Sequence, residues 1–145
     1  MKVYIASSWR NEHAVRMLTA EIRKLDIEVA SFVEEAAKIE RLAKNVNRDT
    51  LEEWIWSENG KQKFKYDTNN AMGSDAVIYI GPSGTDAWAE VGAAWANGVP
   101  IYGLWAKSEP AGLMRRMMYA WFSDYRELLD SIRESVNSRT VRGRS

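Results

Sequence analysis

The sequence has no cysteine, a single histidine and only three prolines in 145 residues. Without cysteine the chain can form no disulfide, no thiolate zinc site and no thiol nucleophile, and one histidine excludes a metal site with several histidine ligands. We therefore expect no metal. Net charge is also missing, because 20 basic side chains balance 20 acidic ones. We also expect no nucleic-acid partner, since nucleic-acid-binding surfaces usually show a basic excess.

Long apolar runs are absent as well. The N-terminal segment turns polar after six residues, too short for a signal peptide, and no other run approaches the length of a membrane span. We therefore predict a cytoplasmic protein without a membrane partner. With 46% hydrophobic and 28% charged residues, the composition is that of one globular domain, which we place at residues 1–136. Residues 137–145 are basic and are predicted to form a disordered tail.

What the chain does have is hydrophobic periodicity. Short apolar runs alternate with segments of helical spacing, a pattern typical of a parallel sheet covered by helices. Strands are predicted at residues 3–6, 27–32, 76–80 and 100–104, and helices at 11–25, 64–73, 86–97, 112–117 and 123–136. Residues 34–65 are predicted to be helical or irregular, with Asn59-Gly60 as an interruption. Ser123 is the expected N-cap of the last helix, and Gly98 the expected cap after the helix 86–97.

The chain also has seven tryptophans, an unusually large number. Their rings bury large areas in a core or a subunit interface, and they also stack on planar ligands. The sequence leaves both uses open. A structural protein whose tryptophans form subunit contacts is therefore one alternative for the whole chain.

Two predicted loops occupy the position where ligands bind in open parallel sheets, beyond the carboxyl ends of the strands. One is Ser7-Ser8-Trp9-Arg10-Asn11 after the first strand, and the other is residues 81–85 after the strand 76–80. The second loop contains Gly81, Ser83 and Gly84 and leads into a helix, whose N-terminus favours an anion. It is neither a Walker phosphate loop nor a dinucleotide fingerprint, so no cofactor is predicted.

Several charged residues near these loops allow two interpretations each. Glu90 falls beside the apolar face of the predicted helix, where it is either a functional carboxylate or a partner of the helix dipole or of a basic neighbour. Asp86 fits a ligand contact or charge compensation at the helix start, whereas Asp75 fits a turn. Arg10 fits a phosphate contact or a solvated side chain. His13 fits a surface or capping role.

Three segments together resemble the nucleoside 2-deoxyribosyltransferase family. Val3-Tyr4-Ile5-Ala6-Ser7 is similar to the family's Tyr-Leu-Ala-Gly opening. Asp67, followed eight residues later by Asp75-Ala-Val-Ile-Tyr-Ile, is similar to its acidic helix and central strand. Residues 84–92, GTDAWAEVG, match its glycine-rich loop and the helix that carries its catalytic glutamate. The similarity covers most of the chain outside residues 34–61.

This resemblance implies a flavodoxin- or Rossmann-like three-layer α/β domain with a central, mainly parallel sheet of about five strands. It implies that Glu90 is a nucleophile toward the anomeric carbon of a nucleoside and that Tyr4 holds Glu90 through its hydroxyl. Asp67 would bind the substrate and help to protonate the departing base, with Asp86 as a second candidate. A homodimer or higher homo-oligomer is also implied, because the family shares active-site residues across subunit interfaces.

One departure from the transferases concerns the substrate. Ser8-Trp9-Arg10 looks more like the Ser-Ile-Arg of the nucleoside 5′-monophosphate N-glycosidase branch than like the transferases' Gly-Pro. It favours a nucleotide whose phosphate is held by Arg10, Ser83 and helix N–H groups, although a nucleoside stays open. A non-catalytic nucleotide-binding or sensing module of the same fold is the alternative function. The predicted binding residues are Ser7, Ser8, Trp9, Arg10, Gly81, Ser83, Gly84 and Asp86.

Overall fold

The computed structural model describes residues 1–34, 51–110 and 112–142. In this part of the chain the strands are β1 (Lys2–Ala6), β2 (Glu28–Ser31), β3 (Ala76–Ile80), β4 (Ile101–Leu104) and β5 (Ala120–Phe122). The α-helices are α1 (Glu12–Arg23), α2 (Leu51–Ile55), α3 (Glu58–Gly73), α4 (Thr85–Ala96) and α5 (Tyr125–Arg142). Short 3-10 helices occupy Trp9–Asn11 and Leu113–Met117.

The strands form one five-stranded sheet in the order β2-β1-β3-β4-β5, with every neighbouring pair parallel. The predicted α/β fold with a parallel sheet is therefore confirmed. Strand order reverses between β1 and β3, which are direct neighbours with Ala6 opposite Tyr79. The chain leaves both strands at the same edge of the sheet, so the loops that follow them lie side by side at the switch point.

Helices cover both faces of the sheet. Apolar residues of α1 and α5, including Val15, Ile22 and Leu128, pack against one face. The other face holds Tyr4 of β1 and receives small residues of α3 and α4, among them Ala71. All five residues of β3 are buried, because this strand lies in the middle of the sheet with helices above and below. This burial explains why β3 is an uninterrupted apolar run in the sequence.

Two predictions about helix starts are wrong. Asn59-Gly60 does not interrupt a helix, since α3 begins at Glu58 and runs through both residues. Ser57 caps this helix by accepting a hydrogen bond from the Gly60 N–H at 3.1 Å. The last helix is preceded by Asp124, which accepts from the Arg126 N–H at 2.8 Å and takes the position expected of Ser123. In both helices a short polar side chain just before the first turn, Ser57 or Asp124, accepts a hydrogen bond from a main-chain N–H of that turn.

Other differences concern the end of the last helix and the fifth strand. Helix α5 continues to Arg142, beyond residue 136, where the last helix was predicted to end. Strand β5 was not located from the sequence, because three residues are too few to show a period.

The predicted cap after α4 is confirmed, because Gly98 has φ +74°. Of the excursion predicted for residues 34–65, residues 35–50 lie outside the described residues. Across the described ranges, no helix is long and apolar enough to cross a membrane.

The start of α3 supplies a stability prediction. A Cβ on Gly60 would overlap the main-chain carbonyl oxygens of Trp54 and Ile55, and backbone atoms cannot swing aside as a side chain can. We expect Gly60→Ala to lower the free energy of unfolding by about 1–3 kcal/mol. On the same helix, a Cβ on Gly73 would meet nothing within 4 Å, so Gly73→Ala should be neutral or stabilising. Urea denaturation of the two variants measures the difference, and equal stabilities would contradict the close contact.

Candidate active site

A cluster of hydrogen bonds joins the loops that follow β1 and β3. The Ser7 hydroxyl donates to the Ile80 carbonyl at 2.7 Å and lies 3.2 Å from the Ser83 hydroxyl. Asn11 Nδ2 donates to Ser7 Oγ at 2.9 Å and to the Pro82 carbonyl at 2.8 Å. The structure thus brings together the two predicted serines and adds Asn11. Asn11 was placed in the first loop but not among the predicted binding residues. An asparagine just before a helix is typical of an N-cap, a role that its side chain does not take here.

Glu90 lies inside the domain rather than on the surface of α4. It shares the buried side of the helix with Ala87, Val91 and Ala94, and only 9% of the residue is exposed. The Tyr4 hydroxyl, itself fully buried in β1, donates to Glu90 Oε2 at 3.1 Å. Two residues 86 positions apart therefore meet under the N-terminal half of α4. The resulting carboxyl is oriented by one hydrogen bond, which leaves Oε1 for another partner.

Burial is the main cause of an unusual charge state at Glu90. Burial and then the charge of the nearby Asp67 carboxylate raise the pKa of this carboxyl to about 8, while the hydrogen bond from Tyr4 opposes the shift. Burial, followed by the charge of Glu90, also raises the pKa of Tyr4 well above its usual value. Tyr4 therefore stays a hydrogen-bond donor, and Glu90 exchanges its proton close to neutral pH.

Asp67 reaches the same site from α3. Its Oδ2 forms an ion pair with Lys63 Nζ at 2.7 Å, and both side chains are largely buried. Burial raises the pKa of Asp67 and the charge of Lys63 opposes this shift. Asp67 Oδ1 is buried and accepts no hydrogen bond of good geometry from the described residues, although the neighbouring Tyr4 hydroxyl helps to lower the pKa of Asp67. Lys63 was not among the predicted site residues, although a lysine four residues before an aspartate on a helix is a recognisable pairing signal.

Aromatic rings border the site on two sides. Trp9 contacts Phe32 edge-on with 5.3 Å between ring centroids, beyond the end of β1. Tyr79 of β3 contacts Trp88 at 4.7 Å and is stacked near Trp121 at 5.9 Å. The sequence left packing and ligand stacking open as uses of the tryptophans. These ring contacts show that Trp9, Trp88 and Trp121 pack within the domain. Trp9 nevertheless remains 43% exposed, so its ring can also meet a ligand.

Gly81 follows β3 where another chain segment comes very close. A Cβ at this position would overlap the carboxylate of Glu109, which also accepts a hydrogen bond from the Tyr79 hydroxyl. A larger residue at position 81 would therefore displace the Glu109 side chain, so glycine leaves room for the carboxylate that Tyr79 contacts. Gly84 is different, because a Cβ there would meet nothing within 4 Å, although the residue does precede the first turn of α4.

The remaining predicted residues lie at the rim or elsewhere. Ser8 Oγ is buried and has no hydrogen-bond partner in the described part of the chain. Arg10 and Asp86 are exposed, and the charge of Asp86 adds a smaller contribution to the raised pKa of Glu90. Asp75 lies at the opposite edge of the sheet, where it accepts from the Lys2 N–H at 2.8 Å and pairs with Arg139 at 3.0 Å. Its role as a turn residue before β3 fits this position.

The described acidic side chains of the site are too dispersed to form a metal site. Among residues 1–34, 51–110 and 112–142, no three acidic or histidine side chains are grouped so that they could hold an ion. The site consists of two carboxyls, a tyrosine, a lysine and several hydroxyls. Glu90 is the more buried of the two carboxyls.

Three solved structures share this fold over nearly the whole chain. A 2-deoxyribosyltransferase from Bacillus psychrosaccharolyticus is 21% identical, with a TM-score of 0.64 over 89% of this chain and 90% of that one. A conserved protein from Enterococcus faecalis V583 is 19% identical, with a TM-score of 0.67 over 93% and 98%. The CMP N-glycosidase BcmB from Clostridium botulinum is 16% identical, with a TM-score of 0.58 over 91% and 98%.

What these likenesses establish is the fold, which this chain shares with a nucleoside deoxyribosyltransferase and a nucleotide N-glycosidase. No protein-family model matches the sequence, and no curated protein matches it either.

Proposed function

We propose that the protein cleaves or transfers the N-glycosidic bond of a (deoxy)nucleoside or nucleoside 5′-monophosphate, through a covalent glycosyl intermediate on Glu90. The observation that carries the proposal is the buried carboxyl of Glu90, held by the Tyr4 hydroxyl at the switch point of the sheet. Glu90 forms no ion pair with any described residue. A buried carboxyl without such a pair is costly for a fold, and such groups concentrate at functional sites.

The first chemical step uses Glu90 as a nucleophile. With Oε2 held by Tyr4, Oε1 is the oxygen that attacks C1′ of the sugar. A bond forms between Oε1 and C1′ while the bond from C1′ to the base nitrogen breaks, and its electron pair leaves on the base, which takes up a proton. The carboxylate stabilises the positive charge that develops on the sugar in the transition state. Attack requires the ionised carboxyl, so the rate rises with pH toward the pKa of about 8 at Glu90.

The second step returns the enzyme to its starting state. A water molecule attacks C1′ and breaks its bond to Glu90, which releases the free sugar and restores the carboxylate. If a second base attacks instead, the same step completes a transfer. Both steps invert C1′, so the product retains the configuration of the substrate.

Groups around Glu90 fit the two ends of a nucleoside. Asp67 Oδ1 has no partner among the described residues and can accept from an N–H of the base or from a hydroxyl. The hydroxyls of Ser7 and Ser83, with Arg10 at the rim, lie on the side where the α4 N-terminus favours a phosphate or a 5′-hydroxyl. The rings of Trp9 and Phe32 offer an apolar surface next to them.

Incubating the protein with a panel of deoxynucleosides, ribonucleosides and their 5′-monophosphates, followed by chromatography for free base, tests the proposal. We expect base release from at least one member, and intact-mass spectrometry of the quenched protein should show an added sugar mass. Supplying a second base distinguishes transfer from hydrolysis. Binding of a nucleotide without any base release would favour a sensing module instead.

A further inference from the structure

The site brings several acids together with little positive charge. Asp67 from α3 and Glu90 from α4 meet beneath the hydroxyl of Tyr4 from β1, and the exposed Asp86 on α4 adds a further negative charge. Two carboxyls that share a buried site cannot both ionise at neutral pH without compensation. Among the described residues, Lys63 is the cation whose charge acts on both carboxyls.

Lys63 is held in place from two directions. Its Nζ lies 2.7 Å from Asp67 Oδ2 and 5.5 Å from the ring centroid of Phe32, a distance at which a cation is attracted to the face of the ring. The side chains of Lys63 and Asp67 are only 13% and 15% exposed, whereas the Glu12–Arg16 pair of the same i,i+4 spacing is 38% and 51% exposed. A surface pair of the latter kind contributes little, but a largely buried pair is screened far less by water and salt.

We propose that Lys63 is a positioning residue that keeps Asp67 ionised and oriented, so that Asp67 serves as a hydrogen-bond acceptor for the substrate and does not protonate the departing base. The inference rests on the proposed function and assigns the proton to another source, such as water at the rim. Lys63 occupies Oδ2, which leaves the buried Oδ1 as the free acceptor beside Tyr4. An N–H or O–H of the substrate is the donor that this oxygen fits.

The test removes the charge of Lys63 while retaining an unbranched side chain of similar size. Lys63→Met is compared with Lys63→Arg, which keeps the charge, and with Lys65→Met, which removes an exposed lysine from the same helix. Carboxyl carbon NMR titrations of the substrate-free protein follow Glu90 and Asp67. In Lys63→Met we expect the second ionisation of this pair to occur at least about one pH unit higher, whereas both other variants match the wild type. The acid limb of kcat/KM should move by the same amount.

The two readouts separate this inference from the proposed function. If the wild type releases no base, the proposed function fails, but the NMR titration still decides the role of Lys63. An unchanged titration in Lys63→Met would overturn the inference. So would a Lys63→Met enzyme that becomes faster at acidic pH, because protonated Asp67 would then be acting as the acid. If Lys63→Met does not fold, Lys63→Gln is titrated in its place, with the same outcomes.

Discussion

Glu90→Gln is expected to reduce base release by at least about a thousandfold while leaving the fold intact. The amide has nearly the same volume as the carboxyl, and its oxygen can still accept the hydrogen bond from Tyr4. What it lacks is the negative charge that forms the bond to C1′ and stabilises the developing positive charge on the sugar. The loss should appear in kcat, with nucleoside affinity changed much less.

The measurement is single-turnover base release, together with a direct binding assay for the unreacted nucleoside. Glu134→Gln, which alters an exposed glutamate of α5, is the matched control and should behave as the wild type. No glycosyl adduct should be found on Glu90→Gln by intact-mass spectrometry. Full activity in this variant would remove Glu90 from the mechanism, because the amide cannot supply the negative charge that the proposed attack on C1′ requires.

The same substitution is expected to stabilise the protein at alkaline pH. Burial raises the pKa of Glu90 from 4.5 to about 8 in the folded chain, so over this interval the unfolded chain has lost the proton that the folded chain still holds. The free energy of unfolding attributable to Glu90 therefore falls by about 1.4 kcal/mol for each pH unit between these values and is constant above them. Below pH 4.5 the carboxyl is neutral in both states and imposes no such penalty.

Thermal unfolding of the wild type and Glu90→Gln at pH 4 to 9 isolates this contribution. We expect similar stabilities near pH 4 and an advantage for the variant that grows to the order of 3–5 kcal/mol above pH 8. For a chain of this size that corresponds to a rise in Tm of roughly ten degrees. Parallel stability curves for the two proteins would contradict the burial of a titrating Glu90. An inactive variant that is also more stable would identify Glu90 as a group retained for function at the expense of stability.

Parts of the candidate site were predictable from local patterns. The strand–loop–helix order placed Ser7 and Ser83 at carboxyl ends of strands, and parallel strands end at one edge of a sheet. Glu90 was expected beside an apolar helix face because Ala87, Val91 and Ala94 recur at helical spacing. Neither pattern showed whether the carboxyl of Glu90 is functional, because helical periodicity does not show which side chains of the sheet the helix covers.

Other parts depended on contacts between distant segments. Asn11 joins the two loops because β1 and β3 are neighbours, a pairing that its own position before α1 did not reveal. Lys63 gained its importance from the burial of α3 against α4 and not from its spacing to Asp67 alone. The start of α3 was missed because Gly60 looked like a break, whereas it permits the close approach of α2.

By itself, the sequence determined the alternation of buried strands and amphipathic helices, and with it the parallel α/β fold, because that alternation is a periodicity along the chain. It also determined which residue types stand at the strand ends. Only the tertiary structure decided that Glu90 is buried against Tyr4 and beside Asp67, since these residues come from β1, α3 and α4. A pKa near 8 follows from that burial and from the neighbouring charge, which are properties of the folded surroundings and not of a glutamate in a sequence.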